Sequence, residues 1–414
     1  MTQTIFPTEE AVEQYKELTN VLALKDFDVV GVEHDEEGNS LILLCAHRWP
    51  VAICAECGNV SQEIHDYPDR RPVRDLAVAG PRCWLESDSR RFMCRYCGRP
   101  FAERLESIEF NRTYTRRYET WIVGLCRHRK LKHVAADEGL GYKKVEDIWL
   151  RAVRRQVQQQ ADRRPLIRVL GVDQISKKKY PREYALALSD LERNCVVDVL
   201  PDRLKSSLEA WFDTLSPQER AHIKQVAMDL WEPYRLAVQA KLPQADIIAD
   251  RFHVMQNPNG VIHKARRAIQ RQAPEEIKDQ LKGLRWALVK NESSLKEQER
   301  EHLAQLKVCY PNMYQLYCLR QDFHHLFEDH TDPQAAEDAL EEWIARADKL
   351  DPKSLRTFIA TLRNWWQPIL NFFKERVTSG LVEGINSKIK LIKRITFGMP
   401  NFEHFRLRVL FEFG

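Results

Sequence analysis

No run of apolar residues in the sequence approaches the roughly 20 that a helix needs to span a bilayer, so no membrane partner is expected. The first residues, MTQTIFPTEEAVEQ, carry acids where a secretory signal would carry a basic start and an apolar stretch, which makes a cytoplasmic protein the expectation. Internal repeats and low-complexity tracts are absent, which sets aside repeat architectures. An excess of one charge is missing too. The 64 basic and 60 acidic residues leave a net charge of +4, too little to mark a nucleic-acid binder unless the charge is unevenly placed.

It is unevenly placed. Basic clusters occur at Arg70–Arg71, Arg90–Arg91, Arg127–Lys132, Arg151–Arg155, Lys177–Lys179, Arg266–Arg271 and Lys388–Arg394. A length of 414 residues exceeds what a single core usually supports, so two or three domains are expected. The composition, 43% hydrophobic and 30% charged, is that of a globular chain. Ten cysteines in a cytoplasmic protein point to metal rather than disulfides wherever their spacing is regular.

The chain divides by composition. Residues 1–50 are an acidic amphipathic stretch followed by the strand-like SLILLC at 40–45, and residues 51–110 read as a metal-stapled β module with short apolar runs broken by Pro and Gly. Residues 111–162 turn helical and basic, and ADRRP at 161–165 reads as a linker. LIRVLGVD (166–173), YALALSD (184–190) and NCVVDVLP (194–201) then give three strands separated by polar turns. A helix near 203–213, IKQVAMD (223–229), a helix from Glu232–Pro233 and ADIIAD (245–250) follow. Three antiparallel strands followed by alternating helix and strand is the order of an α/β ribonuclease-H-like fold, expected over 163–258 and again over 376–414. The helical patterning of 259–375 reads as an insertion within it, with Trp365–Trp366 and Phe372–Phe373 as core.

Cys54-Ala-Glu-Cys57-Gly and Cys94-Arg-Tyr-Cys97-Gly are paired knuckles, and four thiolates in two such pairs are what a closed, structural Zn²⁺ site requires. The segment between them is long for a zinc ribbon and contains His65, Asp66 and Cys83 as possible substitute ligands. The arginines around it, Arg70, Arg71, Arg74, Arg82, Arg90 and Arg91, suggest phosphate contacts.

LKHVAADEGLGYKKVEDIWLRAVRR (131–155) fits either a helix-turn-helix or a plain helical hairpin. Val134 and Ala135 face inward on the first helix, Val145, Ile148 and Trp149 on the second, and Gly139-Leu140-Gly141 forms the turn. In the first reading Tyr142, Lys143 and Lys144 open a helix that enters the major groove. In both readings Arg127, Arg129 and Lys130 anchor the DNA backbone.

Asp173 and Asp229 each end a strand, and Glu383 starts a helix beyond the helical segment. Acids at adjacent strand ends can hold hard divalent cations, and two Mg²⁺ or Mn²⁺ ions so held can activate water or a 3′-hydroxyl for attack on a phosphodiester. Asp250 competes with Asp229 for the second position or supports the site from behind. His253 contacts DNA or is an ordinary core histidine. Asp190, Asp198 and Asp246, in or beside strands, are taken as structural or solvent-facing. Lys388, Lys390, Lys393 and Arg394 lie on the helix of Glu383, where they would hold phosphates or form a solvated face.

Together RRFMCRYCGRPFAE (90–103), GVDQIS (171–176), MDLWEPY (228–234), ADRFHVM (249–255) and GLVEGINSKIKLIKRITFGMPNFEHFRLRVL (380–410) resemble the ISL3 group of bacterial insertion-sequence transposases. The likeness covers most of the chain in the order zinc finger, helix-turn-helix, DDE catalytic domain. It implies Asp173, Asp229 and Glu383 as the DDE triad, with a helical insertion between Asp250 and Glu383. It also implies cutting at terminal inverted repeats and joining of the ends to target DNA, in the nucleoid of a bacterial cytoplasm, with a homodimer expected from synapsis. The second knuckle departs from the group: it is a plain CxxC where members often have a longer spacing.

Overall fold

The computed structural model describes residues 8–35, 39–178, 183–274, 278, 283–350, 352–376, 379–395 and 401–413, without the side chains of 177–178, 352–354 and 379–383. The chain forms two compact units, residues 1–156 and 157–414.

In the first unit, Thr8 caps helix α1 (Glu9–Gln14) by accepting from the Ala11 N–H, and α2 (Lys16–Leu22) follows. Nine strands come next: β1 (Phe27–His34), β2 (Ser40–His47), β3 (Ala52–Ile53), β4 (Val60–Ser61), β5 (Ile64–Asp66), β6 (Val73–Asp75), β7 (Arg82–Glu86), β8 (Arg91–Met93) and β9 (Pro100–Ala102). They build a sheet β1-β2-β7-β6, a pair β3-β4 and a sheet β5-β8-β9. The first of these sheets spans residue 50, where composition places a boundary. β7 lies parallel beside β2, so residues from both sides of that boundary share one core of Phe27, Val29, Leu43, Cys45, Val73, Cys83 and Leu85. Leu41, Leu43 and Cys45 alternate inward along β2, the period-two burial of a strand with one covered face.

Helices α3 (Arg116–His128), α4 (Leu131–Glu138) and α5 (Tyr142–Asp162) complete this part of the chain. Buried Asp75 of β6 ties α3 to the sheet: it accepts from Thr115 Oγ1 at 2.6 Å and from Arg117 Nε at 2.7 Å. Gly139 ends α4 in the left-handed region (φ +64°), and a Cβ there would come within 2.5 Å of the Arg82 guanidinium. The left-handed backbone favours glycine at the turn, while the mobile end of Arg82 can move aside.

The second unit is built on one sheet. Strands β10 (Val169–Lys178), β11 (Glu183–Asp190) and β12 (Cys195–Leu200) run antiparallel, and β13 (Gln225–Met228) and β14 (Asp246–Ala249) run parallel to β10, in the order β12-β11-β10-β13-β14. Helices α6 (Lys205–Thr214) and α7 (Pro217–His222) connect β12 to β13, and α8 (Glu232–Lys241) connects β13 to β14. Then come α9 (Arg251–Gln272), α10 (Glu297–Cys309), α11 (Pro311–Asp329), α12 (Pro333–Leu350), α13 (Pro352–Asn364) and α14 (Trp366–Asn371). The described chain ends with α15 (Ser379–Ile395) and α16 (Phe402–Phe413).

Helices cover both faces of the sheet, which is why YALALS reads as a continuous apolar run. Leu186 and Leu188 point into a core with α6, α8 and the helices from α9 to α14, where Trp365, Phe372 and Phe373 are also buried. The alternate residues Ile175, Ala185 and Ala187 meet Ile385, Ile389 and Ile392 of α15 and Phe405, Val409 and Leu410 of α16. Burying each isoleucine of α15 contributes roughly 1.5–3 kcal/mol, and their spacing pins one face of that helix to the sheet. Asp173 lies two residues before Ile175 and therefore shares its side. Among the described residues no helix is long and apolar enough to cross a membrane.

Candidate functional site

The cysteine knuckles are two turns of the same design. β3 and β4 flank Cys54–Cys57, and β8 and β9 flank Cys94–Cys97. In each, the glycine after the second cysteine is left-handed (Gly58 φ +74°, Gly98 φ +66°), and its N–H donates to the first cysteine's carbonyl at 2.9 Å. The four sulfurs gather within 4.8 Å of one another, with Cys54–Cys97 at 3.7 Å and Cys57–Cys94 at 3.5 Å. A tetrahedron of Zn–S bonds of ~2.3 Å has edges of roughly 3.8 Å, so the set fits zinc. The thiols share their protons unequally. The Asn59 backbone N–H pulls Cys57 down to about 6, while hydrogen bonding with Cys94 pushes Cys97 up to about 12. A dication in their midst removes that inequality.

None of the substitute ligands joins this group. Cys83 sits in the core of the four-stranded sheet, where burial pushes its thiol up to about 11. Asp66 accepts from Arg91 Nε at 2.6 Å, and His65 is exposed. The long spacing between the knuckles has a structural purpose: it carries β6 and β7 into the neighbouring sheet.

The second constellation is set by strand register. Val172 of β10 pairs with Met228 of β13, and Met228 with Ala249 of β14. Asp173, Asp229 and Asp250 are the next residues on the three neighbouring chains, so they form a row at the C-terminal edge of the parallel strands, with Asp229 in the middle. Asp250 also caps α9, accepting from the Phe252 N–H at 2.8 Å. That turn carries His253, whose Nε2 lies 3.9 Å from Asp173 Oδ1 and 3.9 Å from Asp250 Oδ2. Ligand atoms of Asp173, Asp229 and His253 all fall within 4.8 Å of one another. His253 thus lies beside the carboxylates, part-exposed rather than in the core. Pro258 lies inside α9 and has no N–H to give the carbonyl four residues back, while the Asn257 side chain donates to the His253 carbonyl at 3.1 Å.

Burial is the main force on these carboxylates. It pushes Asp229 up to about 6, with Asp173 and Asp250 adding to the rise and His253 opposing it. Burial raises Asp173 as well, against the pull of His253 and Asn386. One oxygen of Asp229, Oδ2, accepts from Gln174 Nε2 at 2.8 Å, and the other, Oδ1, is buried with no hydrogen-bond partner among the described residues. A buried carboxylate oxygen without a donor is costly unless a cation sits against it, and an all-oxygen and imidazole donor set suits a hard divalent ion.

Three supporting residues escaped the sequence reading. Gln174 is held in turn by Arg203, whose Nη1 donates to Gln174 Oε1 at 3.2 Å and whose guanidinium stacks on Tyr184 and Trp231. Asn386 of α15 donates to Asp173 Oδ2. Glu383 starts one turn before Asn386 on that helix, and its side chain lies outside the described residues.

The basic residues divide. Arg70 and Arg90 are largely buried, on Asp88 at 2.6 Å and on Glu103 respectively, which corrects their expected role as phosphate contacts. Arg91 pairs with Asp66, Arg129 with Asp137, and Lys143 with Glu146 at 2.8 Å. Lys144 donates to Thr113 Oγ1 at 2.9 Å. Lys388 donates to the Glu412 carbonyl and Lys393 to the Ser176 carbonyl, each at 2.7 Å. Arg71, Arg127, Lys390 and Arg394 are exposed, Lys130 is half-buried, and Lys390 acts on Asp173.

Residues 170–409 match the model of a family described as transposase, of the ISL3 group. Residues 50–97 match the zinc-finger of the transposases IS204/IS1001/IS1096/IS1165. The sequence is 29% identical over 387 residues to the transposase for insertion sequence element IS1001 of Bordetella parapertussis, covering 92% of this chain and 94% of that one. Over 393 residues it is 25% identical to the transposase for insertion sequence element IS1557 of Mycobacterium tuberculosis, covering 88% and 87% of the two.

Proposed function

The chain belongs to the ISL3 family of transposases, and on that premise we propose that it binds the terminal inverted repeats of an insertion sequence, cuts there and joins the freed ends to target DNA. The row Asp173, Asp229, Asp250 with the partnerless oxygen of Asp229 carries this reading. The strand order supports a ribonuclease-H-like catalytic domain in which α9 to α14 stand as a helical insertion between Asp250 and Glu383.

Asp173, Asp229 and Glu383 would hold two Mg²⁺ or Mn²⁺ ions, which when bound supply activation of water or a 3′-hydroxyl and charge stabilisation at the leaving oxygen. The chain's own residues set the stage for that chemistry. Arg203 fixes the Gln174 amide, so that its Nε2 turns one Asp229 oxygen away and leaves the other facing the site. Asn386 does the same for Asp173. Asp250 holds the first turn of α9 and with it His253, placed to meet a phosphate oxygen or to complete the ligand set. Lys390 and Arg394 continue along α15 from Asn386 and offer cations to the flanking phosphates.

At the front of the chain the zinc knuckles form a closed structural site. Val134, Ala135, Val145, Ile148 and Trp149 are buried between α3, α4 and α5, while Tyr142, Lys143 and Lys144 are exposed at the start of α5. That supports a helix-turn-helix whose second helix reads the major groove. Two ends must be synapsed for joining, so we read the working species as a homodimer on DNA. Incubating the protein with Mg²⁺, an inverted-repeat duplex and a supercoiled target tests the proposal. Nicks at the element's end and end-to-target joints are expected. Tight end binding with no nicking would make the chain a regulator instead, and nicking without end preference a structure-specific nuclease.

A further inference from the structure

The helical segment buries a cation that no acid balances. Arg320 of α11 is 6% exposed, and its bonds go to neutral acceptors: Nε to Asn259 Oδ1 at 3.2 Å, and Nη1 to Asn291 Oδ1 at 2.8 Å, to Gln321 Oε1 at 3.1 Å and to the Lys290 carbonyl at 3.3 Å. Among the described residues no carboxylate lies within ion-pair distance of it, and its Nη2 has no partner. A buried guanidinium held this way is expensive to keep unless an anion visits it.

Such a visitor has room. Arg320 lines a cavity of about 430 Å³ together with Arg251, Phe252, Lys290, Asn291 and His324. Arg251 is matched by Glu328 and Lys290 by Glu299, so the uncompensated charge of the cavity belongs to Arg320. The cavity also adjoins the carboxylate row. Phe252 lines it and packs edge-to-face on His253, with ring centroids 5.4 Å apart, and His253 is the residue that reaches Asp173.

We propose that this cavity is a phosphate-holding site for the DNA strand that enters the carboxylate centre, with Arg320 as its fixed charge and Asn291 and His324 as the neutral groups around it. The inference rests on the transposase reading above and adds to it a specific non-scissile phosphodiester. Arginine suits the task because its planar fork can keep Nε and Nη1 on the protein and turn a donor to the ligand. Phe252 and Met255 form an apolar part of the cavity wall.

The test uses the full chain and an end-containing duplex, with affinity followed by fluorescence anisotropy over a range of KCl concentrations. Arg320→Gln should weaken binding on the order of tenfold at moderate salt and reduce the slope of log affinity against log salt by about 0.9, the share of one phosphate. A scan of single methylphosphonate substitutions should show, for the parent, one position near the cleavage site whose neutralisation weakens binding, and for Arg320→Gln no penalty there. Should Arg320→Gln fail to fold, Arg320→Lys, which keeps the charge but loses the planar fork, replaces it and should lessen the same penalty. A folded Arg320→Gln chain with the parent's salt slope and methylphosphonate pattern would overturn the inference and leave Arg320 a structural residue. In that event normal cutting by the parent would show that the transposase reading stands, whereas a parent that neither binds nor cuts end DNA would remove both.

Discussion

The thiolate cluster around Cys54 and the carboxylate row around Asp229 are built in opposite ways. Each half of the thiolate site is a turn of four residues closed by a local glycine whose N–H bonds back to the first cysteine. The carboxylate site draws Asp173, Asp229, Asp250 and Asn386 from four separate segments, and only the sheet register and the seat of α15 bring them together. The first site gathers four sulfurs at the spacing a structural zinc needs. The second leaves an oxygen of a buried acid without a donor, a cost that the fold carries for function.

The comparison breaks most sharply if the two sites are not independent. Cys94→Ser should remove the zinc and with it metal-linked folding energy on the order of 10 kcal/mol. End binding is then lost, while the Mg²⁺-induced rise in melting temperature of residues 157–414 is kept. Calorimetry with metal analysis checks this, and joint collapse of both responses would contradict it.

A smaller effect sharpens the claim that the carboxylate site depends on its supports. Gln174→Ala frees the Asp229 carboxylate to rotate, so the Mg²⁺ concentration for half-maximal cleavage should rise about 10- to 100-fold with zinc content unchanged. An unshifted titration would mean that Gln174 does not orient Asp229.

The smallest concerns the cost of the empty charge. Burial holds Asp229 at about 6 in the folded chain, above its ordinary 3.8. Below about pH 4 the acid is protonated whether folded or unfolded, and nothing is lost. Between about 4 and 6 the unfolded chain ionises first, so stability falls as pH rises, and above 6 the full cost remains. Asp229→Asn should therefore stabilise the protein at pH 7.5 in buffer free of Mg²⁺ and Mn²⁺ by on the order of 1–3 kcal/mol, with the gain gone at pH 4. Equal melting at pH 7.5 would show that the burial cost is absent.

These contrasts also explain what the sequence could reveal. The knuckles were legible from spacing because their chemistry is local. Strands β11 to β14 were legible because each is a short apolar run ending at an acid or a turn, whereas β10, expected to end at Asp173, continues to Lys178 because its polar second half still pairs with β11. The joining of β1 and β2 to β7 was not, since it crosses a gap that composition marks as a boundary and β1 carries acids along its exposed face. Gln174 and Asn386 were invisible for a similar reason: an amide acquires its role only from what it touches, and both touch residues far away in sequence. The place of His253 was equally hidden, because it depends on the Asp250 cap that turns the start of α9. The arginines erred in the other direction, because charge clusters do not disclose that Arg70 and Arg90 are already taken by Asp88 and Glu103.

The most direct test of the account compares single-turnover Mg²⁺-dependent cleavage of inverted-repeat DNA by the parent with that of Asp173→Asn, Asp229→Asn, Asp250→Asn and Glu383→Gln, each with its end-binding affinity. Loss of cleavage on the order of a thousandfold or more is expected for Asp173, Asp229 and Glu383 with end binding nearly intact, and a lesser loss for Asp250, whose work is to hold α9 and His253. Retained cleavage in Asp229→Asn, or its abolition only in Asp250→Asn, would contradict the placing of Asp229 at the centre.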